Sequence, residues 1–244
     1  MIHTDQQSIG PTQSAPSLAD TTVHSTRTRM DGVKALNVES RPWIEPFAVC
    51  PALNQYHFVH VGIMDATAPT RIVRTNQTTT YFLATFAGRG KVLIDGRFRL
   101  CPAGSACLLP AHTLNAFEAV PGAKWRFCWV CYRQPEGQRP IAGVTSPVMA
   151  KFGALPLLSA VEGLVYECQT AAQPGLIQHW VDLVHSYVMR FAQPLEQDTR
   201  LRALWERVAW QLQDEWTLTR LTQESGYSRE HLRRLCHMQL GRSP

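Results

Sequence analysis

Four side chains near the end of the chain have the types and spacing to read a nucleic acid. Arg229, Glu230, Arg233 and Arg234 lie in the run SREHLRRL, residues 228 to 235. On a helix capped by Ser228, Leu232 and Leu235 share the inner side, and the four charged residues are left to point outward. An arginine can hold O6 and N7 of guanine in bidentate fashion, and a glutamate can accept from N4 of cytosine. Arg229, at the helix start, suits a phosphate equally well. Glu230 also suits the positive end of the helix dipole, a purely structural role. His231 lies beside Leu232 and is expected to cap or pack. Upstream, Leu218 and Leu221 mark a first short helix that Gly226 ends. Two short helices joined by a glycine-containing turn, with arginines on the second, describe a helix-turn-helix whose second helix enters a major groove. The competing reading is an ordinary helical hairpin with a solvated basic face.

A second set could hold a small molecule. Trp125, Phe127 and Trp129 alternate along a strand-like run and so share one face. They either stack on a ligand or fill a barrel. Metal chemistry finds less support. His57 and His60, three apart in a strand-like run, should face opposite ways, and His112 stands alone. An open catalytic metal needs at least three protein ligands. No catalytic residue, metal or cofactor is therefore expected. Cys128 and Cys131 have redox-motif spacing, but in a strand they face opposite sides, which reads as packing.

The elements that must position these groups follow from periodicity. Residues 1 to 40 are rich in Ser, Thr, Gln and Asp without a period, and are expected to form a flexible leader. Residues 41 to 147 read as β. Short strand-like runs are His57 to Met64, Tyr81 to Phe86, Lys91 to Asp95, Arg97 to Cys101, Ala106 to Leu109 and Trp125 to Tyr132, with a two-residue hairpin at Asp95-Gly96. Such spacing suggests a small barrel or jelly roll. Residues 148 to 195 turn helical. Leu157, Leu158, Val161, Leu164, Val165 and Cys168 form one apolar stripe; Ile177, Trp180, Val181, Val184, Val188 and Phe191 form another. This hairpin packs either on a second subunit or on the chain's own barrel. From 196 to 244 a helix with Leu201, Leu204, Trp205, Val208 and Leu212 inward, capped by Asp198 or Thr199, joins the helix-turn-helix. The fold class is α+β.

Composition agrees. The chain has 244 residues, 45% of them apolar, and a formal charge of +5, which suits an anionic partner. From Arg200 onward stand eight Arg, no Lys and five acids, so most of the excess charge sits in the last fifth. Seven cysteines at irregular spacing, with no export-type apolar core at the N-terminus and no run of membrane-span length, read as reduced thiols in a cytoplasmic protein.

The C-terminal segment resembles the DNA-binding region of the AraC/XylS family. The resemblance rests on Leu218, Leu221, Gly226, Ser228, His231-Leu232, Arg234, Leu235, Gly241 and Ser243-Pro244. It implies groove contacts at Glu230, Arg233 and Arg234. Residues 88 to 110 resemble a cupin: Gly88-Arg-Gly90, the Asp95-Gly96 hairpin, Pro102-Ala-Gly104 and Pro110. Trp125 to Trp129 is similar to the following strand in the sugar-sensing domain of AraC-type regulators. That similarity places Phe127 and Trp129 on ligand-lining positions and Phe117 near another. It matches Arg74, or Arg71, with a sugar-binding arginine. Phe117 and Phe127 replace polar groups of the sugar site, which leans toward a less polar effector. Asn115 stands where the second cupin motif would place a histidine, and the Tyr81 to Phe86 run has neither His nor Glu. The family implies a homodimer on an operator in double-stranded DNA, answering a small-molecule effector. It carries two helix-turn-helix units joined by a long helix. This chain stops where that helix would begin, so a truncated form with weak specific DNA binding is expected. The rivals are an effector-binding and dimerisation module without DNA recognition, and a cupin-type enzyme.

Overall fold

In the computed structural model, the described residues are 20–36, 41–134, 141, 146–170, 172–192, 199–240 and 243–244, without the side chains of 199, 202 and 237–240. The architecture is α+β: a curled cupin-like sheet, a helical hairpin laid on one face, and a small three-helix unit.

The strand Thr79–Ile94 (β6) organises the sheet. Its first half pairs with Trp125–Arg133 (β10) and Ser105–Leu109 (β8); its second half pairs with Arg97–Pro102 (β7) and Asn115–Ala119 (β9). One strand thus serves both walls by bending between them. The bend falls at Gly88 and Gly90. Gly88 has φ +69°, and a Cβ there would lie 1.9 Å from the carbonyl oxygen of Lys124. A Cβ on Gly90 would sit 2.1 Å from the ring of Trp125. The Gly-Arg-Gly motif therefore exists to let β10 and its tryptophan close on the bend. The Tyr81 to Phe86 and Lys91 to Asp95 runs, expected as separate strands, are one strand for this reason.

The Asp95-Gly96 hairpin forms with both residues at positive φ, 51° and 73°, as a two-residue turn demands. Phe58–Ala66 (β4) lies on the other side of β10, Arg29–Lys34 (β2) extends the sheet beyond it, and Ala48–Val49 (β3) pairs parallel with β2. Thr21–Val23 (β1) adds to Arg71–Arg74 (β5), which pairs with β9. Two strands thus fall inside the stretch read as a leader. Val33 on β2 is fully buried, so the leader reading is corrected for residues 20 to 36; residues 1 to 19 lie outside the described residues. Val148–Lys151 (β11) pairs with β8 and carries the sheet past the expected boundary at 147.

β10 is buried on both faces. Trp125, Phe127, Trp129 and Cys131 enter the interior cluster, and Cys128, Val130 and Tyr132 enter the cluster beneath the helices. That explains the unbroken apolar run. Leu155–Gln169 (α1) and Pro174–Ala192 (α2) put both predicted stripes into the second cluster. The hairpin therefore covers its own barrel, the second of the two alternatives, and those stripes are spent. Phe191 meets Phe82 edge to face at 5.2 Å, Tyr56 stacks on His185 at 3.9 Å, and the Tyr56 hydroxyl donates to Asp182.

Thr199–Trp210 (α3), Leu218–Ser225 (α4) and Arg229–Leu240 (α5) share a core of Leu201, Leu204, Leu221, Leu232 and Cys236. Leu212 is corrected: α3 ends at Trp210 and Leu212 is 75% exposed. Asp198 as a cap lies outside the described residues.

Trp125 is held by its indole N–H, which donates to Thr85 Oγ1 at 2.9 Å, so it cannot yield to a methyl group. Gly90→Ala is expected to cost about 1–3 kcal/mol, read as a lower melting temperature. Gly153→Ala, with no atom within 4 Å of the added Cβ, should stay within about 0.5 kcal/mol.

Candidate functional site

Alternation along six strands, with two connecting turns, builds a narrow space inside the curled sheet. β10 contributes Phe127 and Trp129, β9 Asn115 and Phe117, β5 Ile72 and Arg74, β6 Tyr81 and Leu83, β4 Met64, and β8 Leu109; Gln77 and Trp43 complete the lining. The space is narrow: about 440 Å³ lies between the lining atoms with the solvent at its mouth included, but only about 20 Å³ of it admits the centre of a water molecule, so a ligand larger than water enters only by parting the walls. Its walls are mainly apolar. Arg74, Phe117, Phe127 and Trp129, singled out from sequence, all line it. Of the two candidate arginines, Arg71 turns away: it pairs with Glu118 at 3.8 Å and lies over Phe98.

The sequence reading missed Trp43, Gln77, Tyr81 and Asn115 as cavity residues. The i, i+2 spacing of Tyr81 with Leu83 and of Asn115 with Phe117 was a usable signal, but the short β9 was not recognised as a strand.

Behind Trp129 runs a buried polar chain. The indole N–H of Trp129 donates to His60 Nδ1 at 2.7 Å. An indole nitrogen can only donate, so His60 carries its proton on Nε2. Nε2 then donates to the Tyr81 hydroxyl oxygen, 3.1 Å away, and Arg41 Nη1 donates to the same oxygen at 2.8 Å. Burial, then the charge of Arg41, holds the His60 imidazole well below its ordinary range. Burial pushes the Tyr81 phenol well up. His57 is an exposed residue in left-handed conformation, so the two histidines do part company. With one ring nitrogen of His60 protonated and the other bonded, it does not fit a metal. Among the described residues no three His, Cys, Asp or Glu side chains cluster. Cys128 and Cys131 face opposite clusters, and burial raises the Cys128 thiol to about 12.

The N-terminal strand closes over one side. The Arg74 guanidinium donates through Nη1 to the carbonyls of Thr21 and Val73, at 3.0 and 2.9 Å. His24 lies 5.6 Å from Trp43, with neither ring nitrogen bonded. Burial, then the charge of Arg74, lowers its pKa.

The second candidate surface is α5. Ser228 Oγ accepts from His231 N at 3.2 Å, as expected of a cap, and Gly226 ends α4 at φ 69°. Thr217 caps α4 by accepting from Arg220 N. Leu232 is fully buried, while Arg229, Glu230, Arg233 and Arg234 are exposed. Charge is sorted as well. Arg207 pairs with Glu224 and Arg220 with Asp214. Arg229 donates to Thr219 Oγ1 and Arg234 to His231 Nδ1, neither partner an acid. Positive charge therefore collects on the outer face of α5.

A family model, the AraC-like ligand binding domain, matches residues 78–228. The chain belongs to that family. Solved structures similar to it include the Cupin_2 domain of an XRE family transcriptional regulator from Enterobacter cloacae. That match has 10% identity and TM-score 0.31, covering 43% of this chain and 95% of that one. A predicted oxalate decarboxylase from Thermotoga maritima matches at 10% identity and TM-score 0.35, covering 48% and 94%. The Schizosaccharomyces pombe Cnp3 cupin domain matches at 11% and 0.31, covering 50% and 72%. None of the curated proteins compared with the chain matches it. Among the described residues no helix is long and apolar enough to cross a membrane.

The neutral His60 makes stability depend on pH. An unfolded histidine titrates near pH 6.5, roughly. The folded value is lower, so the unfolded state binds more protons below that point. Stability is full above about pH 6.5 and falls below it, by up to about 1.4 kcal/mol per pH unit for this group. Melting temperature should drop between pH 7 and pH 5. His60→Gln, which keeps both hydrogen-bonding roles without the charge, should lessen that slope; an unchanged slope would contradict the assignment.

Proposed function

We propose that this chain is an effector-responsive, sequence-specific DNA-binding regulator of the AraC type. It catalyses no reaction and works in the cytoplasm. The observation that carries the reading is the division of α5. Leu232 and Cys236 are sunk in the α3–α4 core, while Arg229, Glu230, Arg233 and Arg234 are exposed and, among the described residues, none of the three arginines pairs with an acid. A helix so divided can enter a major groove and leave its arginines free for base edges and phosphates. An effector in the cavity would act by linkage: it changes the cost of one arrangement of the covering turn, the N-terminal strand and the helices against another. β10 supports this, since its two faces touch the cavity and the helical hairpin.

Operator binding is tested by selection from a random duplex pool at low salt. Binding is expected to be weak and salt-dependent, with a common sequence enriched. Arg233→Ala should lose about 1–3 kcal/mol of discrimination at one base pair, whereas Arg229→Ala should weaken all sequences alike. A pool that stays random would overturn the reading and leave an effector-binding module. A homodimer would have to use the outer faces of the hairpin, where Leu155, Tyr166, Leu176 and Leu183 are exposed. Sedimentation of the chain at micromolar concentration should show a dimer that Tyr166→Asp weakens; a strict monomer rejects it.

A further inference from the structure

Two polar groups of the cavity sit side by side with unmet needs. Arg74 and Asn115 are direct cross-strand partners of β5 and β9, which puts their side chains on one face about 5 Å apart at Cβ. Among the described residues the Arg74 guanidinium meets only carbonyl oxygens, which carry no counter-charge. Among the described residues no carboxylate lies within ion-pair reach of it. Asp20, the acid that feels its charge, is bonded instead to the backbone and hydroxyl of Thr75. Asn115 is 2% exposed. Its amide is oriented by Nδ2, which donates to the carbonyl of Pro110 at 2.9 Å, so the side-chain oxygen is left buried without a donor. The site therefore asks for an anion next to a hydrogen-bond donor.

The walls set the rest of the molecule. Phe117, Phe127 and Trp129 line the space with aromatic surface and meet one another edge to face, so a molecule that wedges between these walls is favoured if it is flat and aromatic. Met64 and Ile72 offer nothing to the hydroxyls of a sugar. A ligand ammonium would bring a second positive charge beside Arg74.

We infer that the cavity binds a small, flat aromatic acid with a neutral donor on the carbon adjacent to the one bearing its carboxylate, of the 2-aminobenzoate type. One amino hydrogen of such a molecule is satisfied by its own carboxylate, and the other is free for Asn115. The inference rests on reading the cavity as the effector site.

Isothermal titration of the whole chain with 2-aminobenzoate, benzoate, aniline, toluene and L-arabinose tests it. The first compound should bind, and benzoate should bind at least about tenfold more weakly, because it leaves the Asn115 oxygen unmet. Asn115→Leu should close that gap, and Arg74→Gln should weaken both acids by a similar factor. The ligand series on the unaltered chain decides by itself if a variant fails to fold. Equal affinity for benzoate and 2-aminobenzoate would overturn the donor requirement. Aniline, toluene or arabinose binding more tightly than the acids, and lost on filling the cavity by Phe127→Trp, would overturn the acid class and leave the effector cavity standing. No binding by any of the five would overturn both.

Discussion

Burying a strand on two sides at once is the constraint from which the rest follows. β10 has no solvent face over most of its length, so its odd-numbered residues must find partners inside the sheet and its even-numbered ones beneath the helices. The inner set leaves a lined space because Trp125, Phe127 and Trp129 are large and rigid and meet at tilted and edge-to-face angles along one strand, and rings of that size do not fill a curved wall completely. The outer set requires a cover, and α1 and α2 supply it. A shift of β10 toward or away from the cavity is therefore felt by the hairpin, with no need for a separate relay.

The buried polar chain reinforces the same strand. Trp129, His60, Tyr81 and Arg41 satisfy one another in sequence, and each fixes the orientation of the next. A half-satisfied network at this depth would be worse than an apolar core. Arg41 belongs to the turn that also carries Trp43 and the fully buried Ile44, so the network ties the covering turn to the cavity wall. Among the described residues the buried polar atoms without a hydrogen-bond partner are the side-chain oxygen of Asn115, the ring nitrogens of His24, one oxygen of Asp65 and the indole nitrogen of Trp205; the first two residues lie at Arg74's end of the space.

Charge is managed differently in the helical unit. Arg207 and Arg220 are neutralised by Glu224 and Asp214, on α4 and just before it. Arg229 and Arg234 meet a hydroxyl and an imidazole, and Arg233 lies exposed. Among the described residues, three arginines without an acidic partner are therefore gathered on one helix, where surface pairing would otherwise have neutralised them.

Local rules were enough to locate what depends on short spacing. The Ser228 cap, the Gly226 stop, the Asp95-Gly96 turn, the alternation of Trp125, Phe127 and Trp129 and the two helical stripes all express bonds or periods spanning a few residues. They could be read from the chain alone. What the stripes covered could not be read, because a barrel and a second subunit offer the same apolar surface. Nor could the choice between Arg71 and Arg74, which depends on the pairing of β5 with β9 some 40 positions away. The merging of two expected strands into β6 depended on Trp125 arriving over Gly90. Leu212 was misplaced because α3 stops two residues before it. Asn115 acquired its meaning only when the sheet set it opposite an arginine: type and spacing are properties of the chain, but a neighbour across a strand is a property of the fold.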